Sequence, residues 1–72
     1  MQRITFNPLV MGGKACIRGM RVTVGTIVGL LASGYTQTKI LEAYPYLEIE
    51  DIQAALEYAA WRSMELELPV SA

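Results

Sequence analysis

One cysteine and no histidine leave this 72-residue chain without either of the staples on which small folds commonly lean. A disulfide within the chain needs two thiols, and a structural metal site needs several Cys or His ligands. Cys16 alone supplies neither. An apolar core must therefore hold the fold, and a core this small leaves little margin. Hydrophobic residues make up 53% of the chain, above the 45–50% or so of ordinary domains, a range that already counts glycine. That is more apolar surface than one small core hides. Self-association or a protein partner is expected, with a homodimer as the simplest form; no metal and no cofactor are expected.

The length suits a single domain over residues 1–72. It divides into short strands and turns (1–23), a three-helix core (24–67) and a tail (68–72), with no internal repeat or linker. The N-terminal residues Met1 to Pro8 lack the apolar stretch of a secretory signal. Residues 22–38 carry no charge, but Gly25, Gly29, Gly34 and several threonines interrupt them. A span needs roughly 20 predominantly apolar residues, so no membrane insertion is expected and the chain reads as soluble and cytoplasmic.

The net charge of −1 conceals an asymmetry. Residues 1–41 hold Arg3, Lys14, Arg18, Arg21 and Lys39 with no acid, a balance of +5. Residues 42–72 hold seven acids against Arg62, a balance of −6. Such a division points to a polyanion partner for the basic half, or to complementarity between the two halves. The plain alternative is that the charges solvate the surface of a chain whose halves fold together.

Local signals place the elements. Ile4–Phe6 and Leu9–Met11 are short apolar pieces separated by the turn signal Asn7-Pro8. Two β-prone pieces then flank Gly19, which can supply the positive φ of a tight hairpin. Residues 4–23 are thus predicted to form two to four short strands or extended segments. After Thr23, a suitable N-cap, Val24, Ile27, Val28 and Leu31 form one helical stripe. Gly34 can stop that helix near Ser33, and Gly25 and Gly29 would let another backbone approach it. Thr36 caps a second helix over 37–44, ended by Pro45. A third runs over 49–67 and stops at Pro69, with Glu48, Glu50 and Asp51 at its electropositive start. Ile49, Ile52, Leu56 and Ala59 are its predicted inner stripe, and Tyr58 and Trp61 lie on a second apolar side. The fold class is mainly α: an N-terminal hairpin before a helix-turn-helix-like bundle. A plain three-helix bundle fits the same spacing.

The segment Met11-Gly12-Gly13-Lys14-Ala15-Cys16-Ile17-Arg18-Gly19-Met20-Arg21-Val22-Thr23-Val24 resembles the signature of domain of unknown function family 433. Gly34-Tyr35, Tyr44-Pro45 and the run Asp51-Ile52-Gln53-Ala54-Ala55-Leu56-Glu57-Tyr58-Ala59 extend the likeness over nearly the whole chain. Ala15 stands where that family usually has proline, and Met20 where it has threonine. The resemblance implies a homeodomain-like helix-turn-helix fold and an antitoxin-like protein of the VapB kind, often encoded beside a PIN-like ribonuclease toxin. It further implies binding and silencing of such a toxin, and binding of the protein's own operator DNA.

Candidate sites follow from residue chemistry. Gly12-Gly13-Lys14 lacks the earlier glycine and the following Ser or Thr of a phosphate loop, and reads as a turn. Lys14, Arg18 and Arg21 bracket the hairpin and form the densest positive cluster, suited to phosphates or an acidic partner surface. The alternative is a strand edge blunted by charge. If DNA is bound, the basic N-terminal half is the better candidate. The third helix carries too many carboxylates to read a major groove, with only Gln53 and Arg62 as plausible contacts. Tyr58, Trp61, Met64 and Leu66 suit a protein interface, since aromatics and methionine are enriched there; the alternative places them in the chain's own core. No histidine can serve Cys16 as a base, so no catalytic residue is expected and the thiol belongs in the core.

Three functions compete: a dimeric antitoxin-like protein whose acidic Glu57, Glu65 and Glu67 occupy a ribonuclease's basic groove, a homodimeric structural module without nucleic acid, and a dedicated DNA-binding regulator.

Overall fold

The computed structural model describes residues 2–66, the side chain of Leu66 excepted. Two short strands open the chain: β1 (Ile4–Thr5) pairs antiparallel with β2 (Cys16–Ile17), Ile4 opposite Ile17 and Thr5 opposite Cys16. The chain then doubles back along β2. The Met20 amide donates to the Ile17 carbonyl (2.8 Å), closing a tight turn, and the Ile17 amide donates to Val22 (2.9 Å). Gly19 has φ +74°, the left-handed value expected of it, and Arg18 beside it has φ +46°. Positive φ at both central positions makes this a left-handed tight turn, set in a four-residue loop (Arg18 to Arg21), since Ile17 faces Val22 and Cys16 faces Thr23.

Residues 9–11 form no strand, contrary to their apolar character. The Asn7 side chain accepts the Leu9 amide (2.9 Å) and the Asn7 carbonyl accepts that of Val10 (2.9 Å), which folds the chain back on itself. A 3₁₀ turn over Met11–Gly13 follows, with positive φ at Met11, Gly12 and Gly13. No extended strand survives that geometry.

The helices begin where threonines cap them. In α1 (Val24–Ala32) the Thr23 Oγ1 accepts the Thr26 amide at 3.1 Å. Gly34, at φ +97°, donates to Leu31, and Tyr35 donates to Leu30, both at 3.0 Å. Those two bonds make a Schellman ending. In α2 (Gln37–Ala43) the Thr36 Oγ1 accepts the Lys39 amide at 3.1 Å. This helix stops one residue before its predicted end, because Pro45 pushes Tyr44 out of the helical region. After the Tyr44–Glu48 turn, α3 runs over Ile49–Leu66. The predicted end at Glu67 lies outside the described residues.

The core gathers one isoleucine from each region: Ile17 of β2, Ile27 of α1, Ile40 of α2 and Ile52 of α3 are fully buried. Ile4, Val22, Val24, Leu47, Ala54 and Ala55 complete it. α1 and α3 share the most extensive contact of the fold. The inner face of α3 is rotated from the predicted stripe. Ile49 is 43% exposed, whereas Asp51 is fully buried beside Ile52. Among the described residues no helix is long and apolar enough to cross a membrane.

Candidate interaction surfaces

Asp51 is the third residue of α3, and its position dictates its partners. A short acid there can reach back to the free amide at the start of the helix, and its Oδ2 accepts the Glu48 amide at 2.8 Å. The same carboxylate takes a two-pronged approach from Arg18: Nε to Oδ1 at 3.0 Å and Nη2 to Oδ2 at 2.8 Å. Arg3 Nη1 adds a third charged donor to Oδ1 at 2.7 Å and also meets Glu48 Oε1 at 2.7 Å. Arg18 Nη2 further donates to the Tyr46 carbonyl at 3.0 Å. Burial by itself pushes the Asp51 carboxyl up. The donors from Arg18, the Glu48 amide and Arg3 together outweigh it and hold the group down at about 2, from an ordinary 3.8.

This network ties β1, the hairpin turn and the start of α3 into one unit. It also explains the left-handed Arg18. A non-glycine residue is disfavoured at φ +46°, yet there the side chain reaches Asp51 from the tip of the turn. Neither Arg3 nor Asp51 stood out as a site in the sequence. The available signal was the charge division: two cations of the basic half pair with two acids of the acidic half.

The predicted basic cluster is therefore split. Arg18 serves the fold, while Lys14 and Arg21 are exposed, with no carboxylate in ion-pair reach among the described residues. Lys14 sits at the rim of an open groove where the start of α1 (Val24, Gly25, Thr26) meets Tyr58 and Ala59 of α3. Cys16 is buried, its Sγ donating to the Lys14 carbonyl at 3.3 Å. No cluster of three metal-ligating side chains exists among the described residues.

Two further surfaces lie on α3. Glu50, Gln53 and Glu57, at helical spacings of three and four, are all exposed and form one side of a shallow groove whose other side is Gln2 and Arg3. Farther along, Trp61 is 53% exposed and Met64 72%, while Tyr58 is half-buried against the core. Phe6, from the residue after β1, is 59% exposed and stacks at a tilt on Tyr58 with ring centroids 5.8 Å apart. Tyr58 meets Trp61 at 6.0 Å. Three of the four predicted interface residues thus share one end of α3. Leu66 is also on that helix, but its side chain lies outside the described residues.

A short two-stranded antiparallel sheet, locked by aspartate and arginine onto three helices, defines a small, mainly α class of protein. The model of a protein family of unknown function, DUF433, matches residues 4–59, and the chain belongs to that family. A crystal structure of a DUF433 member protein from Anabaena variabilis ATCC 29413 superposes with a TM-score of 0.83 at 34% identity, over 90% of this chain and 64% of that one. An uncharacterised protein of Sinorhizobium fredii (strain NBRC 101917 / NGR234), y4eO, is 38% identical over 56 residues, or 78% of this chain. The chain spans only 25% of the length of that curated relative.

Proposed function

We propose that this chain is an antitoxin-like binding protein whose α3 lays its acidic face into the basic, RNA-binding groove of a PIN-like ribonuclease. The observation that carries this reading is the surface left once Arg3 and Arg18 are paired internally. The outward face of α3 over the core then presents Glu50, Gln53 and Glu57. Such a surface repels phosphates and suits a partner built to hold them. In this picture the chain binds without catalysis, and its cytoplasmic setting follows from the toxin's RNA substrate. Operator binding is a lesser activity, left to Lys14 and Arg21.

The test is co-expression with the product of the neighbouring gene, followed by purification and an RNA-cleavage assay. A stable complex with cleavage suppressed is expected. The double variant Glu50→Gln/Glu57→Gln should weaken the complex at least tenfold. No complex, or unchanged affinity in that variant, would overturn the reading.

A further inference from the structure

The aromatic end of α3 is a second surface, and the toxin-binding proposal does not use it. Residues 60–65 are exposed on every side, so this stretch of α3 projects past the core. Phe6, Tyr58 and Trp61 form a continuous run of rings along it. Met64 follows one helical step of three residues beyond Trp61, on the same side of the helix. Scattered exposed hydrophobic residues need no explanation, but a connected run of this kind marks a docking surface.

We propose that a second copy of this chain covers that ridge, making the protein a homodimer joined at the ends of its α3 helices. Three observations favour a second copy over a different partner. The first is area. With Phe6, Trp61 and Met64 each more than half exposed, the ridge and its small neighbours offer on the order of 500 Å² per chain, given the 150–250 Å² or so of a whole aromatic side chain. Two such faces reach the roughly 1,000 Å² total of a specific interface.

The second observation is charge. Arg62 and Glu65, three residues apart and neighbours on the same exposed stretch of helix, give the rim both signs. The whole chain has a net charge of −1. A self-facing surface needs such mixed charge, whereas a rim of one sign favours a partner of the other. The third is stability. The chain has no disulfide, and its described residues hold no metal cluster, so association is the staple left to a domain of this size. The dimer stands independently of the antitoxin reading, because it uses the far end of α3 and needs no other protein.

The experiment uses the full chain alone, in light scattering coupled to size exclusion at high micromolar concentration. The expected mass is twice the 8.0 kDa of one chain. Trp61 is the single tryptophan, so its emission should shift to the red on dilution as the dimer separates. Trp61→Glu/Met64→Glu should give a monomer with unchanged helical circular dichroism, since both side chains are solvent-facing. Tyr35→Glu, beyond the opposite end of α1 from the Tyr58 groove, should remain a dimer. A monomer at every concentration, with constant emission, would overturn the proposal. A dimer that survives the double substitution would do the same. Monomer alone but a tight complex with the product of the neighbouring gene would overturn it too and hand the ridge to that partner.

Discussion

A buried carboxylate facing two guanidiniums gives the fold a definite response to acid. Asp51 is held at about 2 in the folded chain against an ordinary 3.8. The unfolded chain therefore takes up the proton first as pH falls. The stabilisation is complete above about pH 4 and is lost between there and about pH 2. The shift corresponds to about 1–2 kcal/mol once discounted for screening solvent, since both arginine side chains are about one third exposed. Asp51→Asn should remove that acid-sensitive component and cost about 2 kcal/mol at neutral pH, since it leaves two cations facing a neutral amide. Urea unfolding at pH 7, 4 and 2.5 checks both statements, and an unchanged pH dependence in the variant would refute the assignment. Arg18 separates side chain from backbone. Arg18→Ala keeps a Cβ in the left-handed region and loses the fork, whereas Arg18→Gly loses only the fork. The glycine variant should therefore unfold at the higher urea concentration. In the sequence, Gly19 announced the turn, but nothing local marked Asp51. Helical periodicity assigns an aspartate near a helix start to solvent, and here a contact 33 residues away in sequence reverses that assignment.

The helices were legible because their boundaries are local chemistry. Thr23 and Thr36 cap, Gly34 terminates and Pro45 interrupts, so predicted and observed ends differ by one residue where both are described. The inner stripe of α3 was less legible. Ile49 fits the apolar repeat, but Asp51 turns inward to the arginines and Ile49 turns out. The stretch 9–11 was misleading, since apolar composition favours a strand while the Asn7 side chain and three left-handed residues exclude one. The glycines of α1 gave a partial answer. A Cβ at Gly29 would meet nothing within 4 Å, so no described part of the chain makes the close approach that a bare backbone permits. Gly29→Ala should then stabilise the helix by about 0.5–1 kcal/mol, raising Tm by several degrees in a chain of this length. A calorimetric scan decides the matter. No increase would mean that another molecule packs against that position.

At the scale of the whole molecule the basic half spends part of its charge on its own fold, and this limits any affinity for nucleic acid. With Arg18 committed to Asp51, the hairpin offers Lys14 and Arg21. If the chain binds operator DNA as proposed, that binding should weaken with salt along a log–log slope of about −2, given about −0.9 per neutralised phosphate. Titrations by fluorescence anisotropy across salt concentrations measure this directly. A slope of about −4 or steeper would show that more cations contact DNA than those two. The aspartate between two arginines also has a consequence for descent. Losing either arginine leaves the other to satisfy Asp51, whereas losing Asp51 takes the shared partner from both cations at once, leaving Arg3 with Glu48 and Arg18 with the Tyr46 carbonyl. Among relatives of this fold the acid should therefore be the last of the three to be replaced, which comparing these three positions across the family checks. The Arg-Gly of the hairpin and the third residue of α3 thus behave as one word spelled in two places.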